Sequence, residues 1–272
     1  MVDLNYANGF MRKALIASMQ YWVRDFKIDG FRCDVAASVP MDFWNECRNQ
    51  LDKLKPVFML AEAEGPELHS AFDMTYAWEC HHIYNDIAKG KKSSIDIRKY
   101  IEDEKKYPHG AIRMQFTSNH DENSWNGTDK ERMGDARFAL AVLSATLQGM
   151  PLIYNGQEAS LDKRLRFFEK DTIDWSKMNM VSFYSKLMLL HQSNEAVWNA
   201  PFGGDVQFIS DGNDPNILAF IRIKNDHKVL CIFNLANTKS NITLNGGEIS
   251  GTYLDLFSLK KKKIKEGTKI NL

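Results

Sequence analysis

The chain has 272 residues, of which 44% are hydrophobic and 11% aromatic, and its 35 basic side chains balance its 35 acidic ones. This composition is typical of a globular protein and excludes a disordered, collagen-like or coiled-coil chain. The zero formal charge provides no long-range attraction to nucleic acid or an anionic membrane, and no run of about 18 apolar residues predicts a membrane span. The amino-terminal residues lack the features of a signal peptide, so they assign no compartment.

Helices and strands alternate over the first two thirds of the chain. Apolar residues at helical spacing over 11–26 predict an amphipathic helix whose apolar face holds Met11, Leu15, Met19, Trp22 and Phe26. In chain order we then predict a strand over 29–34, a helix over 41–54, strands over 57–62 and 72–76, helices over 78–89 and 94–106, a strand over 112–117, a helix over 131–148 and a strand over 151–154. This alternation favours a parallel sheet covered by helices.

The pattern changes after about residue 195, where short strands replace the alternation. Strands are predicted over 217–224, 229–235, 240–244 and 252–258, and the four consecutive lysines at 260–263 predict a solvated hairpin tip. A boundary is expected near Pro201, which stands among small and turn-forming residues. The sequence therefore predicts an α/β domain over 1–198 and a small antiparallel β domain over 199–272.

The four cysteines carry no predicted function. Cys33, Cys47, Cys80 and Cys231 form no closely spaced pair, and their spacing suits neither a zinc site nor a redox motif. We expect free thiols that pack as small hydrophobic side chains.

Three carboxylates each follow a different apolar strand: Asp34, Glu62 and Asp121. Any one of them could cap a helix or lie in a solvated loop. The carboxyl ends of parallel strands meet on one rim of a barrel, however, so three in succession favour a shared site.

The neighbours of these carboxylates carry a family resemblance. Segments 30–34, 61–62 and 116–121 resemble the second, third and fourth signature regions of the α-amylase superfamily (glycoside hydrolase family 13), and 149–158 resembles its stretch at the eighth barrel strand. The resemblance extends through nearly the whole chain. It implies a partial TIM barrel, strands 4 to 8 of eight, followed by the family's small β domain.

The resemblance also implies roles for five residues. Asp34 matches the nucleophile, Glu62 the general acid/base and Asp121 the stabiliser of the transition state, while Arg32 and His120 match residues that support the site and bind substrate. Arg32 lies on the same side of its strand as Asp34, because side chains on a strand repeat every two residues. A retaining glycosidase needs one protonated and one ionised carboxyl about 5–5.5 Å apart, which fits this division.

Some alternatives remain open in the sequence. Glu64 lies two residues after Glu62 and is a second candidate for the acid, although the family places its acid directly after the apolar run. Trp125 either stacks on a sugar ring or packs under its own loop. His81 and His82 are expected at a helix surface, with one ring partly buried.

The match lacks the family's first three strands and its first signature region. We therefore expect the chain to be the carboxyl-terminal part of a longer enzyme, weakly active or inactive by itself, with an exposed barrel edge that could associate with a partner. Many relatives bind calcium, but a main ligand region is missing here, so no cofactor or metal ligand is assigned.

The predicted function is hydrolysis of α-glucosidic bonds in starch, glycogen or maltooligosaccharides by a retaining double-displacement mechanism. One alternative is a non-catalytic relative that binds carbohydrate or another protein. Another is a transglycosylase or isomerase that uses the same covalent intermediate.

Overall fold

The computed structural model describes residues 4–210, 213–246 and 248–272. The chain divides into two compact units, the first formed by residues 1–78 and 106–113 and the second by 79–105 and 114–272. Among the described residues, no helix combines the length and apolar character needed to cross a membrane.

The first unit contains parallel strands that alternate with helices. Its elements are α1 (Gly9–Asp25), β1 (Gly30–Cys33), α2 (Met41–Asp52), β2 (Phe58–Ala61) and β3 (Met74–Tyr76). Strand β2 pairs in parallel with both β1 and β3. Cys33 is level with Ala61, so the next residues, Asp34 and Glu62, leave their strands side by side.

Gly30 permits the close approach of β1 to β2. A Cβ atom at this position would lie 1.9 Å from the carbonyl oxygen of Phe58, which is far inside van der Waals contact. A side chain at Gly30 would therefore push apart the two strands that carry Asp34 and Glu62.

Helix α1 forms as predicted, but its apolar face is only partly covered. Asn8 caps the helix by accepting hydrogen bonds from the first backbone amides, and the buried stripe runs through Ile16 and Val23. Trp22 and Phe26, at the end of the predicted apolar face, are about half exposed. Their rings pack against each other, with centroids 4.7 Å apart.

The second unit contains the remaining helices and two more parallel strands. Its elements up to residue 193 are α3 (Trp78–Ala88), α4 (Ser94–Asp103), β4 (Ile112–Phe116), which begins in the first unit, α5 (Asp129–Met133), α6 (Ala136–Thr146), β5 (Met150–Leu152) and α7 (Val181–Ser193). Strands β4 and β5 pair in parallel, with Met114 level with Met150.

Two helix assignments differ from the sequence prediction. The single helix predicted over 131–148 is wrong, because Gly134 adopts a positive φ of 54° and separates α5 from α6. Helix α7 was missed, although its apolar residues were visible in the sequence.

The carboxyl-terminal part of the second unit is antiparallel, as predicted. It contains β6 (Val206–Phe208), β7 (Ile217–Lys224), β8 (His227–Asn234), β9 (Asn241–Thr243), β10 (Gly251–Leu254), β11 (Lys261–Ile264) and β12 (Lys269–Asn271). The hairpin tip predicted at 260–263 is wrong, because Lys261–Ile264 pairs with β10. Its lysines are exposed and only Ile264 is buried, a pattern that protects an edge strand from further pairing.

Arg222 is a buried side chain on β7 that satisfies several backbone carbonyls. Its guanidinium donates hydrogen bonds to the carbonyl oxygens of Leu147 at 2.8 Å, Trp198 at 2.8 Å and Gly204 at 2.7 Å. Burial lowers the pKa of Arg222 to about 10, so the side chain remains charged at neutral pH. It therefore ties β7 to the end of α6 and to the segment before β6.

All four cysteines are free and buried, as predicted. Burial raises the pKa of Cys33, Cys47 and Cys231 to about 12. These thiols are unreactive at neutral pH, because the thiolate is the nucleophile.

Candidate active site

Arg32 joins two of the candidate catalytic carboxylates in the first unit. Its Nη1 lies 2.5 Å from Oδ1 of Asp34, and its Nη2 lies 2.5 Å from Oε1 of Glu62. The third nitrogen, Nε, donates to the hydroxyl of Tyr76 at 3.4 Å. Burial opposes the charge of Arg32, but Tyr76, Asp34 and Glu62 outweigh it and raise the arginine pKa above its ordinary value. One permanent cation therefore positions both carboxyl groups.

The two carboxyl groups occupy different environments. The Glu62 side chain is 11% exposed and the Asp34 side chain 73% exposed. Burial raises the pKa of Glu62, the nearby Asp34 raises it further, and a hydrogen bond from the backbone amide of Val35, together with Arg32, only partly offsets these effects. Glu62 therefore retains its proton to a higher pH than an ordinary glutamate.

The turn after β1 supplies this backbone amide. Val35 adopts a left-handed conformation with φ of 43°, which residues other than glycine rarely adopt. Its N–H reaches Oε2 of Glu62 at 3.0 Å. The hydrogen bond to Glu62 offsets the backbone strain at Val35 and orients the candidate acid.

Glu64, the alternative acid, is engaged elsewhere in the first unit. It pairs with Arg113, a buried cation that also donates to Thr75 and lies 4.0 Å over the ring of Tyr107. Glu64 is therefore paired with a different arginine from the one that contacts Asp34 and Glu62.

Asp121 and His120 stand directly after β4 in the second unit. Nε2 of His120 lies 3.3 Å from Oδ2 of Asp121, and both side chains are partly exposed. Asp121 precedes a π-helical turn, Glu122–Asn126, whose first amide donates to Oδ1 of Asn119 at 2.7 Å. Burial raises the pKa of Tyr154, just past β5, and the charge of the nearby Asp121 raises it further.

His81 lies behind this turn and is wholly buried, whereas the adjacent His82 is exposed, so one histidine is at the helix surface as predicted and the other is buried more completely than predicted. Its Nδ1 donates to the carbonyl of Phe116 at 3.2 Å, and its ring stacks on the Phe116 ring at 4.6 Å. Its Nε2 lies 3.0 Å from Oε2 of Glu122. His81 thus connects α3 to the end of β4 and to the residue after Asp121.

Glu122 is the centre of this buried cluster. Burial alone would raise the pKa of Glu122, but hydrogen bonds from His81 and Asn126 and the charge of Arg132 lower it to about 2. Arg132 also donates to the carbonyl of Thr117 at 2.7 Å. The cluster therefore fastens both the end of β4 and the turn that carries Asp121.

Trp125 lies on the same turn and is 55% exposed, so it does not pack under its loop. Its indole contacts Phe167, with ring centroids 4.9 Å apart. Sequence reasoning weighed Trp125 but missed Phe167, Tyr76 and Glu122. Adjacency to Asp121 was the signal that could have identified Glu122.

Arg32 supplies positive charge at the Asp34–Glu62 pair. The Arg32 guanidinium already lies against both carboxylates, and a second cation bound there would repel it. Within the first unit, the positive charge at this pair is supplied by arginine.

Comparisons with known proteins agree with these observations. Residues 1–202 match the family "Alpha amylase, catalytic domain", and residues 206–272 match "Maltogenic Amylase, C-terminal domain". Alpha-amylase 2 of Dictyoglomus thermophilum is 27% identical, covering 95% of this chain and 47% of that protein. A cyclomaltodextrinase of a Bacillus species is 26% identical, covering 93% of this chain and 47% of that protein. The chain thus spans about half the length of these curated relatives.

Solved structures show the same fold. The noncanonic maltogenic alpha-amylase AmyB from Thermotoga neapolitana matches with a TM-score of 0.87 at 28% identity, covering 100% of this chain and 65% of that one. An alpha-amylase from Lactobacillus plantarum matches with a TM-score of 0.80 at 23% identity, covering 99% of this chain and 66% of that one. The predicted fold class, part of a (β/α)₈ barrel followed by an antiparallel β domain, is confirmed.

Proposed function

The chain belongs to the alpha-amylase family, and we propose that it carries the catalytic carboxylates of a retaining glycoside hydrolase. The proposed substrates are starch, glycogen and maltooligosaccharides, which are cleaved at their α-glucosidic bonds. Relatives named as amylases and as cyclomaltodextrinases support this substrate class.

The asymmetry of Asp34 and Glu62 about Arg32 carries the proposal. A retaining mechanism needs one carboxyl that keeps its proton and one carboxylate that attacks. Glu62 is nearly buried with a raised pKa, whereas Asp34 is largely exposed and paired with a permanent cation. Two carboxyl groups in different environments suit the two different tasks.

In the first step, Glu62 donates its proton to the glycosidic oxygen while Asp34 attacks the anomeric carbon. The bond to the leaving sugar breaks, and an ester between Asp34 and the glucosyl unit forms. In the second step, the Glu62 carboxylate takes a proton from a water molecule while the oxygen of that water attacks the anomeric carbon. Asp34 is released as a carboxylate, and Glu62 is again protonated.

Asp121 and His120 are assigned supporting roles on the basis of the family correspondence. The Asp121 carboxylate would stabilise the positive charge that develops on the sugar in each transition state. His120, oriented by Asp121 at 3.3 Å, can donate a hydrogen bond to a sugar hydroxyl.

Covalent trapping tests the proposal without requiring fast turnover. We expect a fluorinated maltosyl fluoride to add one maltosyl group to the 272-residue chain, located on Asp34 by peptide mass spectrometry. Asp34→Asn should abolish the label, and Asp29→Asn, at an exposed residue paired with Lys55, should not. Labelling that persists in Asp34→Asn, or that maps to another residue, would contradict the assignment.

Turnover provides a second measurement. The chain spans about half the length of its curated relatives, so part of their substrate cleft has no counterpart in it. Because a displacement of about 1 Å at a catalytic group can cost about a hundredfold in rate, we expect this chain to release reducing sugar slowly. Release at ordinary enzyme rates, abolished by Asp34→Asn, would overturn that expectation. Binding of maltooligosaccharide with neither labelling nor turnover would favour the non-catalytic alternative.

A further inference from the structure

Tyr76 stands in the same row of side chains as the two candidate catalytic carboxyl groups. Strand β3 pairs with β2 so that Thr75 is level with Ala61, and the next residues along, Tyr76 and Glu62, are therefore side by side. Asp34 holds the corresponding place after β1. Side chains at paired positions of parallel strands point to the same side, so these three lie on one face of three neighbouring strands.

The buried position of Tyr76 gives its hydroxyl group a specific use. The residue is 4% exposed, and its ring stacks on Trp78 with centroids 5.5 Å apart and ring planes 23° apart. A phenylalanine would fill the same space without burying a polar atom, which costs free energy unless that atom has a hydrogen-bond partner. The partner is Arg32, whose Nε donates to the Tyr76 hydroxyl at 3.4 Å.

This hydrogen bond engages the third nitrogen of the Arg32 guanidinium. The other two nitrogens, Nη1 and Nη2, each lie 2.5 Å from a carboxylate oxygen, of Asp34 and of Glu62 respectively. Because the guanidinium is a planar fork with fixed angles, a contact at Nε limits the rotation of the whole group. The guanidinium carbon also lies 5.8 Å from the centroid of the Tyr76 ring, which is within the range of a cation–π contact.

The two ion pairs do not by themselves define the orientation of Arg32. The Arg32 side chain is 30% exposed and the Asp34 side chain 73% exposed, and ion pairs open to water hold long side chains weakly. A displacement of about 1 Å at a catalytic group can cost about a hundredfold in rate. A buried group that holds their shared cation therefore controls the positions of both carboxyl groups.

We propose that Tyr76 is a positioning residue of the candidate active site, whose hydroxyl group holds Arg32 in the orientation that serves Asp34 and Glu62 together. This proposal rests on the proposed function, because it takes the roles of the two carboxyl groups from there. It assigns Tyr76 an effect through Arg32 and no contact with the substrate.

Nitrogen-15 NMR of the full 272-residue chain, labelled at arginine Nε, tests the hydrogen bond without requiring turnover. The Arg32 signal is identified by its loss in Arg32→Lys. We expect the Nε–H of Arg32 to exchange with water about tenfold faster in Tyr76→Phe than in the wild-type chain, because its acceptor is lost while the ring remains. The Nε–H of Arg12, which donates to Glu46 at 3.0 Å, should be unchanged and serves as the internal reference.

Covalent trapping measures the consequence for the candidate nucleophile. With the fluorinated maltosyl fluoride at saturation, Tyr76→Phe should label Asp34 about tenfold more slowly, a smaller loss than the about hundredfold that a 1 Å displacement can cost. The reagent concentration that gives half the maximal rate should change by less than about twofold, because Tyr76 is assigned no contact with the sugar. Tyr6→Phe, which removes the hydroxyl from a ring packed on Phe43, is the matched control and should behave as the wild-type chain does.

A third measurement needs no variant at Tyr76. Nε of Arg24 also lies 3.4 Å from its acceptor, Oδ1 of Asp25, but the Arg24 side chain is 60% exposed. In the wild-type chain the Nε–H of Arg32 should exchange more slowly than that of Arg24. This comparison decides the matter if thermal unfolding shows that Tyr76→Phe does not fold, and equal exchange rates would overturn the proposal.

The outcomes separate this proposal from the proposed function. Arg32 exchange that is unchanged in Tyr76→Phe would overturn the positioning role, and so would labelling of Asp34 at the wild-type rate. Weaker binding of the reagent with an unchanged labelling rate would show a contact between Tyr76 and the sugar, which also overturns it. A wild-type chain that does not label at Asp34 would contradict the proposed function, and the exchange measurements alone would then decide whether Tyr76 holds Arg32.

Discussion

Replacing Glu122 with Gln should destabilise the protein, because it removes the charge at the centre of the buried cluster behind Asp121. The substitution preserves the shape of the side chain and imitates the protonated carboxyl. The Glu122 side chain is only 10% exposed, and His81, Asn126 and Arg132 surround its oxygens.

The pKa of Glu122 determines the size of the expected loss. Against the opposing effect of burial, contacts with His81, Asn126 and Arg132 lower the pKa from 4.5 to about 2. At about 1.4 kcal/mol per pKa unit, the ionised form contributes about 3 kcal/mol to the free energy of unfolding at neutral pH. Burial lowers the pKa of His81, so its ring is largely neutral at neutral pH and the charged partner of Glu122 is then Arg132, at 3.8 Å. The figure of about 3 kcal/mol is therefore an upper limit for the loss.

The sign of the pH dependence follows from the lowered pKa. A carboxyl whose folded-state pKa lies below its unfolded value contributes fully above the unfolded pKa and loses that contribution as pH falls toward the folded one. The gap in stability between the wild-type chain and Glu122→Gln should therefore be largest at neutral pH. It should narrow as pH falls from about 4.5 to about 2.

Urea unfolding monitored by tryptophan fluorescence measures this gap at neutral pH and near about pH 3. Glu169→Gln is the control, because it makes the same substitution at an exposed residue paired with Arg166. Unfolding of Glu122→Gln at the wild-type midpoint at neutral pH would show that the charge of Glu122 does not stabilise the fold. A loss of stability as large in acid as at neutral pH would show that the lowered pKa is not its cause.

Three other substitutions test separate features of the fold and site. Gly30→Ala should abolish native circular dichroism, because the new methyl group would lie 1.9 Å from the carbonyl oxygen of Phe58, and a native spectrum would refute this close approach. Arg222→Met should lower the free energy of unfolding by about 3 kcal/mol or more, since buried carbonyls lose their donors, whereas the exposed Lys262→Met should have little effect; equal urea midpoints would contradict this. Glu62→Gln should raise Tm at neutral pH and leave it unchanged in acid. The raised pKa means that protonated Glu62 stabilises the folded state at low pH and that this stability is lost as pH rises through the folded-state pKa, whereas Gln keeps the uncharged form at every pH. A lower Tm of the variant at neutral pH would count against the raised pKa.

Three predictions from the sequence remain predictions. The division into domains 1–198 and 199–272, the roles of the five site residues and association through an exposed edge await direct tests. The exposed rings of Trp22, on α1, and Phe26, directly after it, are one place where such an association could be examined.

Local patterns in the sequence determined which elements form and where the candidate carboxylates stand along the chain. The strand predicted over 217–224 matches β7, because β-branched and aromatic residues recur through a short, mostly apolar run that lies between two turns. Asp34, Glu62 and Asp121 were recognisable because each follows an apolar strand. The spacing of apolar residues and the position of a carboxylate after a strand are properties of short segments, so they can be recognised without a tertiary structure.

Only the tertiary structure decided what surrounds each side chain. The family resemblance assigned different roles to Asp34 and Glu62, but no local pattern shows that Glu62 is buried with a raised pKa and that Asp34 is exposed. Burial and the contact with Arg32 depend on the register between β1 and β2. In the same way, the pairing of His81 with Glu122 joins residues 41 positions apart. The electrostatic character of the site arises from contacts between segments that are distant in the chain, and those contacts exist only after folding.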